Sequence, residues 1–199
     1  RMVGNVFDAC VNSNVNQVVY TSSSVVYQHQ KKFPFKENDV LSSPPPTSAY
    51  GLSKLIGEHF CKAYHEQHGL NYTVLRPFNA YGPGEEPDPD YAHVIPHLIK
   101  KVLSNQYPVE IYGSGNQSRT FTHGMDIANA YLSSIKNKNA LNEIFNVSGN
   151  KEFKINEVLK RIWKIANKKK PLKIKHLPEF PHDVKRRYPS NKKISKKLK

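Results

Sequence analysis

The chain has 199 residues, 38% of them hydrophobic, with 30 Lys and Arg against 16 Asp and Glu and a net charge of +14. That length suits one domain with a sizeable core, and no apolar run reaches the roughly 18 residues a membrane-spanning helix needs. No charged-then-apolar leader is visible, and only Cys10 and Cys61 occur, both in helix-like patterns, so a cytoplasmic protein with reduced thiols is expected.

The first element is an amphipathic helix over 2–13, marked by Val3, Val6, Phe7, Ala9 and Cys10. Residues 17–22 are β-branched and aromatic and read as a buried strand. Residues 23–47 form a loop, because Pro44-Pro45-Pro46 excludes a helix. Ser48 is placed to cap a helix over 49–68, and Gly69 to stop it. Within that helix Leu52, Leu55, Ile56, Phe60 and Ala63 follow the 3.6-residue period. A second buried strand spans 72–75 and closes on Arg76-Pro77, before a Pro/Gly/Asp loop over 78–92. A helix is expected over 93–105, a short strand over 109–112 and an extended piece over 119–123. A further helix follows over about 125–137, then a third apolar strand over 144–147 and a helix over 155–168. The remainder is mixed and basic. Strands alternating with helices of this length predict an α/β fold, a sheet with helices on its faces.

The charge is uneven. Residues 1–150 hold 12 basic and 12 acidic side chains, whereas 151–199 hold 18 and 4. Lys dominates over Arg, without the aromatic interleaving of RNA-binding segments, so a solvated basic surface is the plain reading and a nucleic-acid partner is not expected. Arg1 already stands inside a helical pattern and the chain ends without a cap, which reads as a piece of a longer protein.

Tyr-x-x-x-Lys occurs three times, at Tyr27–Lys31, Tyr50–Lys54 and Tyr188–Lys192. Tyr27 leads into a loop that ends in a helix breaker, and Tyr188 is followed by Pro189 in a Lys-rich tail. Only Tyr50 opens a long helix, on which residues four apart share a face. About 27 residues earlier, Ser23 stands at the end of the first strand. A phenol is a weak base near neutral pH, and a neighbouring ammonium together with a cationic nicotinamide ring favours its phenolate form. Such a base suits proton removal from a sugar hydroxyl. In this scheme Tyr50 moves the proton, Ser23 orients the hydroxyl, and Lys54 supplies charge and binds ribose. A surface Tyr and Lys beside a serine-rich loop would show the same spacing, so context decides. His93 and His97 are four apart but suggest no third ligand, and His65-Glu66-Gln67-His68 lacks the His-Glu-x-x-His spacing, so no metal site is expected.

The context is a series of ordered motifs: Thr21-Ser22-Ser23-Ser24-Val25-Val26-Tyr27, Tyr50-Gly51-Leu52-Ser53-Lys54, Leu75-Arg76-Pro77-Phe78-Asn79-Ala80-Tyr81-Gly82-Pro83-Gly84, Ile111-Tyr112-Gly113-Ser114-Gly115 and Arg119-Thr120-Phe121-Thr122-His123-Gly124-Met125-Asp126. Together they resemble the extended short-chain dehydrogenase/reductases, and within them the NAD-dependent epimerase/dehydratase family acting on nucleotide sugars. The resemblance implies the C-terminal part of a Rossmann-like doubly wound sheet plus a smaller mixed α/β substrate-binding domain. Residues 1–80 and 124–150 would belong to the first, and residues 81–123 and 151–199 to the second. It implies catalytic roles for Ser23, Tyr50 and Lys54, and contacts to NAD from Ser22, Tyr50, Lys54 and Pro77. Asn79, His93, Val94, Arg119 and Asp183 would bind the nucleotide sugar, with Ile111 and Tyr112 packing on the base. An Arg at the diphosphate also suits the match between its donor fork and phosphate oxygens. A homodimer through the helices at 2–13 and 49–68 is likewise implied.

Three departures qualify this picture. The family's Gly-rich turn, which brings a helix N-terminus to the cofactor pyrophosphate, is missing, so the chain by itself is expected to bind NAD weakly or not at all. The dehydratases' acid pair after the catalytic Ser is replaced by Ser24-Val25, which leaves no carboxylate for dehydration and favours epimerase or reductase chemistry. Phe180 stands three residues before Asp183, where epimerases often have Arg, and His93 stands where Asn is usual; both leave the nucleotide and sugar open. The expected activity is 4-epimerisation of a nucleotide sugar, a UDP-sugar foremost. A nucleotide-sugar reductase, another short-chain dehydrogenase or a fragment inactive by itself are the alternatives.

Overall fold

A computed structural model describes residues 2–85, 93–179 and 184–198. Phe180 and Asp183 lie outside the described residues. Three parallel strands form the central sheet: β1 (Gln17–Thr21), β2 (Asn71–Pro77) and β7 (Glu143–Val147), in that order. The register pairs Val19 with Thr73 and Arg76 with Asn146. Parallel neighbours need long crossovers, and helix α2 (Ala49–His68) supplies the one from β1 to β2. Its ends are those expected from the sequence. Ser48 Oγ accepts from Gly51 N at 3.1 Å, and Gly69 closes the helix at a φ of 70°, a left-handed value that only Gly adopts freely.

Side chains alternate across the sheet. On one face Val18, Tyr20, Tyr72 and Val74 pack with Phe7 of α1 (Met2–Asn12) and Cys61 of α2. On the other, Val19, Leu75, Phe145 and Val147 meet Ala130 of α4 (Gly124–Ser134). Ile194 of α6 (Lys192–Lys197) and Leu198 join this second cluster, so the basic tail returns to the sheet at β7. Residues 23–47 are more ordered than a plain loop. They contain 3-10 turns at Ser24–Tyr27 and Glu37–Ser42, and bury Val26, Tyr27, Phe35 and Val40 against Phe78 and Leu55.

A second core lies between α3 (Val94–Leu103), β4 (Val109–Tyr112) and α5 (Ile155–Ile165), with Leu98, Val102, Ile111, Val158 and Leu159 at its centre. Here the structure differs from the sequence reading. The single extended piece at 119–123 is two strands with different partners. β5 (Ser118–Thr120) sits between β8 (Glu152–Lys154) and β10 (Arg186–Arg187), and β6 (Thr122–His123) pairs with β3 (Ala80–Tyr81). The Thr122 hydroxyl donates to Phe78 O at 2.6 Å and holds that turn of direction. β9 (Ile174–Leu177), parallel to β4, was concealed in the Lys-rich segment because only its two end residues are partly buried. Among the described residues no helix is long and apolar enough to cross a membrane.

Candidate active site

The reacting set expected from the sequence gathers at the carboxyl ends of β1 and β2, where ligands bind in open parallel sheets. Ser23 follows β1, caps the 24–27 turn, and its Oγ accepts from Val25 N at 3.3 Å. Tyr50 stands in the first turn of α2 and is 58% exposed. Lys54 lies one turn on. Its Nζ donates to Thr21 O at 2.9 Å and sits 5.6 Å from the Tyr50 ring centre and 5.8 Å from that of Tyr20. Pro77 ends β2 beside Val147.

Ser22 faces the other way. It is 2% exposed, and its hydroxyl donates to Glu58 Oε1. Glu58 also receives Arg76, through Nε to Oε1 at 2.8 Å and Nη2 to Oε2 at 2.6 Å. Arg76 Nη1 reaches the Tyr27 hydroxyl at 2.6 Å and Glu37 O at 2.8 Å, and that hydroxyl donates to Asn146 Oδ1 at 2.7 Å. Burial lowers the Arg76 pKa, but its bonds to Glu58 and Tyr27 outweigh this and raise it above the ordinary arginine value, so the guanidinium stays charged. Tyr27, the first residue of a decoy Tyr-x-x-x-Lys, is therefore a buried structural donor, and burial pushes its phenol well above the usual range.

Two residues beyond Pro77, a separate cavity of about 350 Å3 opens. Six of the seven positions named for nucleotide-sugar binding line it: Asn79, His93, Val94, Ile111, Tyr112 and Arg119. They come from β3's approach, the start of α3, β4 and β5. Ser23, Tyr50, Lys54 and Pro77 are not among its lining residues. Asn79 Nδ2 donates to Thr120 O at 2.7 Å, which ties the end of β2 to the strand carrying Arg119. Arg119 Nη1 donates to Ser118 O at 2.8 Å. Ile111 belongs to the second core, and Tyr112 is 39% exposed at the strand end.

The sequence reading missed His97, Lys101, Gln117 and Phe121 on the same cavity wall. His93, His97 and Lys101 are each four residues apart, a spacing that puts them on one helix face and was considered only for metal. Burial lowers the His97 pKa, and the Lys101 and Lys100 charges lower it further, so this imidazole is neutral. Lys101 Nζ donates to Glu110 O at 2.7 Å. The Glu110 carboxylate, the acidic group on this wall, is paired with Lys175 Nζ at 2.8 Å. Among the described residues Arg119 and Lys101 bring basic groups to this wall, and Ile111 and Phe121 bring apolar surface on which a ring can pack.

The NAD dependent epimerase/dehydratase family model matches residues 1–148. The chain belongs to this family. It is 37% identical over 155 residues to a Methanocaldococcus jannaschii protein called "Putative UDP-glucose 4-epimerase", covering 77% of this chain and 48% of that one. Among solved structures it superimposes on UDP-N-acetylglucosamine 4-epimerase from Methanobrevibacter ruminantium M1, in complex with UDP-N-acetylmuramic acid, with a TM-score of 0.89 and 34% identity over 98% of this chain and 60% of that one. Against UDP-glucuronic acid 4-epimerase from Bacillus cereus, in complex with UDP-glucuronic acid and NAD, the TM-score is 0.85 at 29% identity, over 98% and 59% of the two chains. The chain spans about half the length of the curated relatives it matches. The Rossmann-like fold inferred from the family motifs is therefore the fold of the chain.

Proposed function

We propose that this chain carries the catalytic residues and nucleotide-sugar pocket of an NAD-dependent nucleotide-sugar 4-epimerase, with a UDP-sugar as substrate. The observation that carries the reading is the pairing of two sites around the end of β2. One is the exposed Tyr50 with its fixed Lys54, and the other is the cavity lined by Asn79, His93, Ile111 and Arg119. Relatives and similar structures named for UDP-sugar 4-epimerisation support it.

The residues of this chain suit the nicotinamide riboside end of NAD: Tyr50 is exposed, Lys54 is held on Thr21 O just before Ser22-Ser23, and Pro77 ends the neighbouring strand β2. The 199 residues contain no Gly-x-x-Gly-x-x-Gly turn for the pyrophosphate. NAD bound there would supply reversible hydride exchange with the sugar carbon. Tyr50, as phenolate, removes the proton of the sugar 4-hydroxyl, and gives a proton back to the same oxygen once the 4-keto sugar has turned its other face. Ser23 holds that oxygen in both halves. Lys54 stands beside Tyr50 and hydrogen-bonds ribose. Arg119, with Asn79 and His93, holds the diphosphate while the sugar turns, and Ile111 and Tyr112 flank the base. Ser24-Val25 offers no acid for loss of a hydroxyl, so the keto sugar is reduced again rather than dehydrated. In the same reading residues 1–80 and 124–150 form the catalytic side and 81–123 with 151–199 the substrate side, except that α6 at the end of the tail packs back onto the catalytic sheet. Asp183 adds a contact to the sugar nucleotide, and Ser22 serves the cofactor side through its main chain alone, its buried hydroxyl being taken by Glu58. A homodimer would form through α1 and α2, whose outer faces expose Met2, Val6, Leu52 and Ile56.

The test is to incubate the complete protein with a UDP-sugar and no added NAD(P)H. Repeated turnover to the 4-epimer supports an epimerase. Product formation that needs stoichiometric NADPH would instead identify a reductase.

A further inference from the structure

Tyr50, Lys54 and Glu58 are spaced four apart on α2, so they form one stripe along the helix face that meets the ends of β1 and β2. Two of them grip consecutive residues of β1's end. Lys54 Nζ takes the carbonyl of Thr21, and the Glu58 carboxylate takes the hydroxyl of Ser22. The next residue is Ser23. The same carboxylate receives both Nε and Nη2 of Arg76, whose next residue is Pro77. We infer that Glu58 is the positioning residue of the reaction centre: its buried carboxylate fixes the helix bearing Tyr50 and Lys54 against the strand ends bearing Ser23 and Pro77. The inference rests on the reading of Tyr50, Lys54 and Ser23 as the reacting set.

Stability alone does not call for such a group. Glu58 and Arg76 are 3% and 2% exposed, and well-packed apolar replacements of buried ion pairs are often neutral or stabilising. What an apolar pair cannot do is fix direction. Both carboxylate oxygens are engaged, Oε1 by Ser22 just past β1 and by Arg76 of β2, and Oε2 by Arg76, and a fork-to-fork Arg–carboxylate contact tolerates little rotation. The far side of Arg76 is anchored as well, on the Tyr27 hydroxyl and on Glu37 O, so the pair cannot drift as a unit. A reaction that moves a proton and a hydride on one sugar carbon is sensitive to displacements of this kind, since a misplacement of about 1 Å can cost roughly a hundredfold in rate.

The test uses the complete protein, assayed for UDP-sugar epimerisation at saturating NAD, with the folded fraction measured independently. Ser22→Ala removes one hydrogen bond to Glu58 and leaves the ion pair; Glu58→Gln keeps the volume and removes the charge. Per folded molecule, kcat is expected to fall about tenfold in Ser22→Ala and about a hundredfold in Glu58→Gln, with KM for the UDP-sugar within about twofold of wild type. KM should hold because the cavity is built from other segments. If Glu58→Gln does not fold, Ser22→Ala carries the test. An unchanged kcat per folded molecule in Ser22→Ala overturns the inference. So does a loss confined to NAD affinity, which would make Ser22 a cofactor contact. A wild-type protein that binds UDP-sugar without epimerising it overturns the reading of the reaction centre, and this inference with it.

Discussion

The hydroxyl of Tyr20 occupies the space beside Gly57 on α2: a Cβ on Gly57 would lie 2.0 Å from that oxygen. The close approach lets Tyr20 donate to Lys54 O at 3.4 Å and places its ring under the Lys54 ammonium. Burial, with smaller contributions from Cys61, Glu58 and Tyr50, pushes the Tyr20 phenol up to about 12, so it remains a donor at working pH. Gly57→Ala should gain a little helix propensity and lose more to the clash, for a net destabilisation of about 1–3 kcal/mol. Denaturant unfolding measures it. Tyr20→Leu in the same chain should return part of the loss, and a Gly57→Ala protein as stable as wild type would show that the contact is unimportant.

Tyr50→Phe removes the proposed base and leaves the ring. Turnover in the complete protein should drop by about 10²–10⁴-fold. UDP-sugar binding, followed by calorimetry, should hardly change, because Tyr50 does not line the cavity. Near-normal turnover in this variant would remove Tyr50 from the chemistry.

Arg119→Ala acts on the other side of β2. Removing a donor to a charged phosphate costs about 1.5–3 kcal/mol, so KM for the UDP-sugar should rise roughly 10- to 100-fold with a much smaller change in kcat. Arg119→Lys should recover only part, since an ammonium lacks the planar fork. Equal KM values for all three proteins would place the diphosphate elsewhere.

Glu143 predicts an acid limit to the attachment of α6. Burial of its carboxyl would by itself raise the pKa, but hydrogen bonds and charge from Lys193, at 2.7 Å, and Lys197 outweigh it and hold the group below the usual carboxylate value. A group depressed in the folded state contributes stability that is fully present above its unfolded pKa, about 4.3 for Glu. The contribution is lost as pH falls through the lower folded value. The wild-type melting temperature should therefore fall more steeply below about pH 4.3 than that of Glu143→Gln. Parallel curves for the two proteins would show that the contact adds nothing to stability.

Much of this molecule is legible locally. The cap at Ser48, the stop at Gly69, the apolar strands at β1, β2 and β7, and the position of Tyr50 and Lys54 on one helix face all follow from patterns a few residues long. Such patterns act through backbone sterics and hydrogen bonds between near neighbours, so they survive without knowledge of the rest of the chain. Six of the positions picked out by the ordered family motifs also line one cavity. The partners of those residues were not legible. Nothing near Glu58 marks Arg76 and Ser22 as its ligands, and nothing in the 119–123 run says that Thr120 and Thr122 pair with different strands. β9 and α6 carry too few apolar residues to declare themselves, and become elements only because β4 and β7 offer them an edge and a surface. The sequence by itself determined the local elements around β1, α2 and β2 and the residue types proposed to react. Only the tertiary structure decided which charges are buried together and which side chains share a wall, because those depend on contacts between segments far apart in the chain.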